Sequence, residues 1–239
     1  MRWPILLCCI VIADFSRAQD TLPSIWSVGV YGEIGSSYRT LNATGDYPEV
    51  LVDLDNDITR PTRYWASGVE VIRHINQHIS LETGVLMTDR GWGTMTFTEF
   101  VGADGVMNDP AVPDISVRHE YHHRYLGVPV MLRYAIGNGA LRFAPAIGMS
   151  NEVLLDLRQV SYTEQTSGSS RDVRHRGTDG FNTFSITART ELALLWQMTD
   201  HLQLRIAPIA TYQVTQLYDH DPACHQWTGG ALIGMRIGL

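Results

Sequence analysis

The sequence predicts an all-β fold, an eight-stranded antiparallel up-and-down transmembrane β-barrel, from three observations. Apolar residues occupy every second position in eight separate segments. Ten charged residues of these segments fall on the opposite face. Short connections near Asn76, Asn138 and Asp200 alternate with long ones, which is typical of antiparallel strands whose two ends face different compartments.

The length and charge of the chain limit its domain count and its partners. The chain has 239 residues and a formal net charge of −7, and all 18 of its cations are arginine. This length suits one sizeable domain. The negative charge argues against nucleic acid as a partner, because phosphate binding needs a basic surface.

The first 18 residues have the pattern of a secretory signal peptide. Arg2 precedes an apolar stretch at 5–13, and Ser16 and Ala18 are small residues at positions −3 and −1 of a cleavage site. A buried N-terminal helix is the alternative. We therefore expect a signal peptide at 1–18 and an outer-membrane β-barrel domain at 19–239. Cys224 is then the single cysteine, so an internal disulfide is excluded.

The eight predicted strands follow the period of two. They cover approximately residues 26–39, 64–73, 79–90, 126–136, 141–149, 184–196, 202–212 and 230–239. The four long connections cover approximately residues 40–62, 91–120, 156–180 and 214–226. The connection lengths predict that both chain ends and the short turns share one end of the barrel.

The charges decide which face meets which solvent. A soluble lipocalin-like barrel has an apolar interior, whereas a membrane barrel has the reverse. Glycine, alanine, serine and threonine make up most of the remaining polar face, which suits a narrow interior. A cation on the lipid face would cost about 2–4 kcal/mol at the bilayer midplane. The charged residues assigned to the interior are Glu33, Glu70, Glu82, Arg90, Arg133, Arg142, Arg189, Glu191, Arg205 and Arg236.

Tryptophans mark the expected membrane boundaries. Trp26 and Trp196 lie at the predicted short-turn rim, and Trp65, Trp92 and Trp227 lie at the long-loop rim. Two such aromatic girdles are typical of membrane barrels.

Charges inside a narrow barrel must compensate one another. Glu70 and Glu82 are equidistant from Asn76, so we expect them to face each other across the second hairpin. The arginines at 133, 142, 205 and 236 all lie near the short-turn end. The hypothesis is a salt-bridged plug in that half of the lumen, and a gated ion path is the alternative.

The loops offer weaker candidates. Asp53, Asp55 and Asp57 resemble a calcium loop, but Ile58 replaces the required glycine, so a solvated acidic loop is preferred. The last long loop carries possible zinc ligands, for which a surface loop with a free thiol is the preferred interpretation: Asp219, His220, Asp221, Cys224 and His225.

Two other groups of residues are candidates for contact with, or modification of, the glycolipid of the outer membrane. The third long loop clusters cations that could contact lipopolysaccharide phosphates, with ordinary solvated charge as the alternative: Arg171, Arg174, His175 and Arg176. Glu120, His122 and His123 could belong to a lipid A-modifying enzyme, but no convergent serine is apparent. No catalytic residue, metal site or cofactor is therefore assigned.

Two segments resemble a known family. These are 125–148, with Leu-Gly-Val-Pro-Val-Met-Leu-Arg-Tyr followed by a glycine turn, and the hairpin 74–84. They are similar to the PorT-like outer-membrane β-barrel family of Bacteroidetes-type bacteria, and the resemblance covers most of the mature chain. The resemblance implies the barrel fold. One namesake of the family assists a secretion system, but no motif in this sequence indicates that role.

The combined interpretation is an integral outer-membrane β-barrel protein without enzymatic activity. A structural, adhesive, assembly-accessory or secretion-accessory role is expected first, a narrow porin-like channel or transporter second, and a lipid A-modifying enzyme third. The expected partners are outer-membrane lipid, lipopolysaccharide and, during biogenesis, the barrel-assembly machinery. Such barrels often end in an aromatic residue that this machinery reads, whereas this chain ends in Leu239.

Overall fold

The structure is a computed structural model that describes residues 25–43, 48–99, 115–165, 168–176, 178, 180–219 and 221–239. The expected signal peptide at 1–18 lies outside these residues. In the described ranges the elements are β1 (Trp26–Asn42), α1 (Glu49–Ile58), β2 (Thr59–Arg60), β3 (Thr62–His74), β4 (Ile79–Thr94), β5 (Phe97–Glu99), β6 (Ile115–Tyr134), β7 (Leu141–Gln165), β8 (Gly168–Arg176), β9 (Phe184–Gln197), β10 (Leu202–Gln213) and β11 (Ala223–Gly238). No helix in these ranges is both long and apolar enough to cross a membrane.

Eight of the strands form a closed antiparallel ring. The order around it is β1, β3, β4, β6, β7, β9, β10 and β11, and pairing of β4 with β6 and of β11 with β1 leaves no open edge within the ring. Each neighbour along this order is also the next ring strand in the chain, apart from the closing pair. The predicted eight-stranded up-and-down barrel is confirmed.

The ring strands have one apolar outward face and one polar inward face. Val69 is 55% exposed and Ile233 is 59% exposed on the outside. We call the outward face of residues 26–38, 65–71, 79–87, 126–134, 141–153, 184–196, 202–212 and 227–237 the apolar belt. Every charged residue in these ranges is buried except Arg142, which is half-buried. The period of two therefore separates hydrocarbon-compatible side chains from charged ones.

The two ends of the barrel differ. Short connections join β3 to β4, β6 to β7 and β9 to β10 at one end, where Ser27 of β1 also pairs with Gly238 of β11. We call this the turn end and the opposite one the loop end. Long connections follow β1, β4, β7 and β10 at the loop end.

Much of what was expected to be loop at the loop end is regular structure. β6 begins at Ile115, β7 continues to Gln165 and pairs with β8, and β11 begins at Ala223. The expected acidic loop around Asp53 is the helix α1, so that interpretation was wrong. Above the belt both faces of a strand can meet water. The strands therefore continue there as hydrogen-bonded pairs without the apolar alternation from which they were predicted.

Candidate functional site

The barrel interior holds a group of eight charged side chains that we call the lumen network. All of its members are buried. The four carboxylates come from β1, β3, β4 and β9, and the four guanidinium groups from β6, β9, β10 and β11: Glu33, Glu70, Glu82 and Glu191, with Arg133, Arg189, Arg205 and Arg236.

Arg133 bridges two of the carboxylates. Its Nε lies 2.6 Å from Oε1 of Glu82, and its Nη2 lies 2.6 Å from Oε2 of Glu191. Arg189 pairs with Glu33, and its Nε is 3.2 Å from Oε1 of Glu191. The Tyr64 hydroxyl also donates to Glu33.

Two further arginines share the remaining carboxylates. Arg236 approaches Glu70 at 2.8 Å and Glu82 at 2.9 Å. Arg205 Nη1 lies 3.1 Å from Glu70 and 3.3 Å from Glu82. Four negative and four positive groups are thus linked without a break, which compensates each buried charge.

The expected direct opposition of Glu70 and Glu82 was wrong. Glu70 pairs in register with Gly84, and Glu82 pairs with Ile72. The hairpin turns about Gln77, not about Asn76, so the two glutamates lie on a diagonal. Arg205 and Arg236 each contact both of them, which supplies the required counter-charges.

Arg142 does not join this network. Its side chain is half-buried at the turn end, where it lines a depression together with His74, Gln203 and Arg236. Within the described residues it makes no ion pair.

The lumen network leaves little free space. The cavity between its side chains and Tyr31 has room for about one water molecule. Gly29 helps make this packing possible, since a Cβ there would lie 2.8 Å from Oε1 of Glu70 and 3.1 Å from Cγ of Arg236.

A second polar layer lies in the interior nearer the loop end. Arg90 Nη2 is 2.8 Å from Glu152 Oε2, and Arg90 also donates to Gln226 and Thr187. Glu152 was missed as a site residue because β7 was expected to end near Met149. The period of two in Gly148, Ser150 and Glu152 was the signal that could have identified it.

Four of the five proposed girdle tryptophans lie on the outer surface. Trp26 and Trp196 are at the turn end, and Trp65 and Trp227 are towards the loop end. Trp92 is the exception and that assignment was wrong, because it is 3% exposed and points inward. Its ring stacks on Tyr121 and His123, with the Arg39 guanidinium 4.6 Å from the ring centre. Position 92 is an even number of residues from the inward Glu82 and Arg90, so strand alternation places it on the inward face as well.

The cysteine is not on a surface loop. Cys224 is fully buried in β11 and packs with Leu41, Trp92 and Leu217 above the belt, so that expectation was also wrong. Burial raises the pKa of the Cys224 thiol to about 12, so it stays protonated near neutral pH. Of the proposed zinc-ligand set, His220 lies outside the described residues.

A second charged cluster lies on the outside of the wall, immediately above the apolar belt. The last apolar row consists of Met87, Leu126 and Val153, which are neighbours in register on β4, β6 and β7. The next row carries Asp89, Arg124 and Asp156, and the row above it carries His122 and Arg158. We call these five residues, with Glu120 and Arg118 above them, the outer-wall cluster.

Asp89 is the centre of this cluster. Its side chain is 3% exposed, and its Oδ1 lies 2.9 Å from Nδ1 of His122. Arg158 Nη2 and Arg124 Nη2 lie 3.5 Å and 3.7 Å from its other oxygen. His122 also faces Glu120, with Nε2 3.6 Å from Oε2.

A β-bulge turns Arg158 outward. β6 pairs Tyr125 with Leu154 but Arg124 with Asp156, so Leu155 has no register partner. One extra residue reverses the facing of everything after it. Without it, Arg158 would share the inward parity of Glu152.

His122 and Glu120 lie above the belt, outside the membrane-spanning ranges. The hydrogen bond to Asp89 has the largest effect on the pKa of His122, and together with the hydrogen bond to Glu120 it raises this pKa to about 9. The hydrogen bond from His122 lowers the pKa of Glu120. His122 is therefore a cation at neutral pH. The adjacent His123 points inward, where burial and Arg90 lower its pKa to about 3.

The cationic cluster predicted in the third long loop lies on β8, which pairs with β7. Arg171, Arg174 and His175 are exposed on β8, and His175 Nδ1 lies 3.3 Å from Asp156 Oδ1. The backbone of Arg176 pairs with Leu157. In the part of the chain that the structure describes, no three His, Cys, Asp or Glu side chains form a metal-binding group.

The sequence model of one family, described as "Outer membrane protein beta-barrel domain", matches residues 18–204. The chain belongs to this family. No curated protein matches the chain.

Solved structures similar to the chain include small outer-membrane barrels. OprG of Pseudomonas aeruginosa has 11% identity and a TM-score of 0.44, covering 92% of this chain and 97% of its own. Neisserial surface protein A has 10% identity and a TM-score of 0.40, covering 89% and 97%. Ail, the attachment invasion locus protein of Yersinia pestis, has 10% identity and a TM-score of 0.34, covering 87% and 97%.

Proposed function

We propose that this outer-membrane barrel is a closed, non-enzymatic surface protein, whose lumen is structural and whose contacts are made at its loop end and outer wall. Adhesion, or assistance to assembly or secretion, is the corresponding role. The loop end faces the cell exterior and the turn end faces the periplasm, following the usual arrangement of such barrels. Residues 1–18 direct export, and within the family we place the chain with the PorT-like barrels.

One observation carries the proposal: the lumen network spans the barrel interior as a connected set of ion pairs. Its eight charges are mutually paired, and the cavity between them and Tyr31 suits about one water molecule. A permeating ion needs a continuous wide path and would have to displace these buried ion pairs. The network is therefore suited to holding the strands together.

Conductance of the purified protein in planar lipid bilayers tests the closed lumen. We expect no sustained current steps from the wild type, whose folding is first shown by a shift between heated and unheated samples on a gel. The double variant Arg133→Ala/Arg205→Ala, which removes two guanidinium groups from the cross-section, should show brief openings. The matched variant Arg63→Ala, on the outside of β3, should be as silent as the wild type.

Other outcomes favour the other functions. Stable large openings of the wild type would overturn the closed lumen in favour of a channel. A change in lipid A mass when the protein is expressed in a Gram-negative host would overturn the non-enzymatic part. Recovery of the protein in the soluble periplasmic fraction would overturn the membrane location.

A further inference from the structure

The outer-wall cluster has more positive than negative charge. Arg118, Arg124, Arg158 and protonated His122 lie around the carboxylates of Asp89, Glu120 and Asp156, which leaves one positive charge in excess. Above it, β8 adds the exposed Arg171 and an exposed pair of Arg174 with Asp172. This excess distinguishes the cluster from the balanced lumen network and leaves capacity for an anionic ligand.

The two central arginines have hydrogen-bond donors to spare. Arg124 and Arg158 approach Asp89 only at 3.7 Å and 3.5 Å, and the Nε atom of each is buried without an acceptor in the described structure. Their side chains are 34% and 28% exposed. A planar guanidinium with free donors is suited to bidentate contact with phosphate oxygens.

The position of these donors indicates the kind of ligand. Arg124 lies one row above Leu126 on the outward face of β6, and Arg158 lies above Val153 across the bulge on β7. Phosphates of a lipid lie at this depth, directly beyond the hydrocarbon layer. We propose that Arg124 and Arg158 bind the phosphate of a phosphorylated lipid in the leaflet at the loop end, whose acyl chains cover Met87, Leu126 and Val153.

The surrounding residues fit this site. Asp89 lies beside Arg124 and attracts both guanidinium groups while remaining buried, and His122 adds a third positive charge beside them. In the outer membrane the phosphorylated lipid of the exterior leaflet is of the lipid A type. The site goes beyond the proposed function and does not depend on whether the lumen conducts.

Lipid retention by the folded protein in non-ionic detergent tests the site. The probes are bisphosphorylated lipid A and the same lipid with both phosphates removed, and native mass spectrometry measures the bound fraction. We expect the wild type to bind the phosphorylated lipid at least tenfold more tightly than the dephosphorylated one. Arg124→Gln/Arg158→Gln should lose that preference.

Matched variants separate recognition from general charge. Arg63→Gln removes an exposed outward arginine from the neighbouring part of β3 and should bind as the wild type does. Arg124→Lys/Arg158→Lys keeps the charge but loses the bidentate geometry and should bind with intermediate affinity. If the glutamine double variant fails to fold, this lysine variant gives the decision.

Three results would overturn the inference. They are equal binding of both lipids by the wild type, unchanged lipid preference in the glutamine and lysine double variants, and full displacement of the lipid by millimolar inorganic phosphate. The last result would show a free-anion site in place of a lipid site. None of these results depends on bilayer conductance. Failure of the lipid-site proposal can therefore be distinguished from failure of the closed-lumen proposal.

Discussion

The lumen network and the outer-wall cluster use the same residue types on opposite sides of one wall. Inside, four arginines and four glutamates are all buried, and ion pairs link every member. Outside, one buried aspartate is shared by three cations at 2.9–3.7 Å, and two of these cations remain partly exposed.

The difference follows from the solvent. A charge enclosed in a narrow lumen is not hydrated, so each must be matched by an opposite charge. A cluster at the membrane boundary retains contact with water and headgroups, so it can carry excess charge. Balanced charge closes the inside, and unbalanced charge leaves the outside open to a ligand.

The largest expected effect is the loss of balance in the lumen. Arg133→Gln removes the counter-charge that links Glu82 and Glu191, and breaking such a buried pair costs about 3–5 kcal/mol. Urea unfolding in micelles, followed by tryptophan fluorescence, measures the loss. Arg133→Met/Glu82→Leu leaves three charges of each sign and should recover at least half of it. Additive losses in the double variant would show that charge balance is not what the network provides.

The next effect concerns the wall between the two clusters. Ile233→Arg or Val69→Arg places a cation on the apolar belt, at a cost of about 2–4 kcal/mol near the bilayer midplane. Both variants should fail to insert stably into vesicles, as measured by protection from protease. Ile233→Leu is the control and should insert normally. Normal insertion of both arginine variants would mean that the belt does not face lipid.

A smaller effect is expected at the centre of the outer-wall cluster. Asp89→Asn removes the carboxylate that His122, Arg124 and Arg158 share, and hydrogen bonds to charged groups contribute about 1.5–3 kcal/mol. The free energy of unfolding should therefore fall by that amount, as measured by urea unfolding in micelles. Asp53→Asn, exposed on α1, should leave it unchanged. An unchanged free energy of unfolding in Asp89→Asn would show that the shared carboxylate does not hold the cluster together.

The smallest effect is a pH dependence. The pKa of His122 is raised from 6.5 in the unfolded chain to about 9 by Asp89 and Glu120. A raised pKa gives stability that is fully present below pH 6.5 and is lost as pH rises through about 9. The groups that face it are Asp89, Glu120 and, with opposing effect, Arg158.

The measurement is the free energy of unfolding at pH 6 and pH 10 for the wild type and His122→Gln. Subtracting the two pH dependences removes the contributions of all other titrating groups. The wild type should lose more stability than His122→Gln over this interval. Identical pH dependence of the two proteins would show that His122 is not charged in the folded state.

The alternation of apolar and polar residues was sufficient to predict the belt and the eight ring strands. It failed above the belt, where β7 and β8 continue with polar residues on both faces and Asp53 lies in a helix. Trp92 shows a different limit. Its residue type favoured a place in the aromatic girdle, whereas the alternation along β4 predicts that it faces inward. The structure agrees with the alternation.

The sequence by itself determined which side chains face hydrocarbon and which face the lumen, because a strand alternates strictly and a charge in hydrocarbon is too costly. Only the tertiary structure decided which charges meet. The register of the hairpin at Gln77 separates Glu70 from Glu82, and the bulge at Leu155 turns Arg158 from the lumen to the outer wall. Both depend on pairing between strands, which a pattern within one strand does not contain.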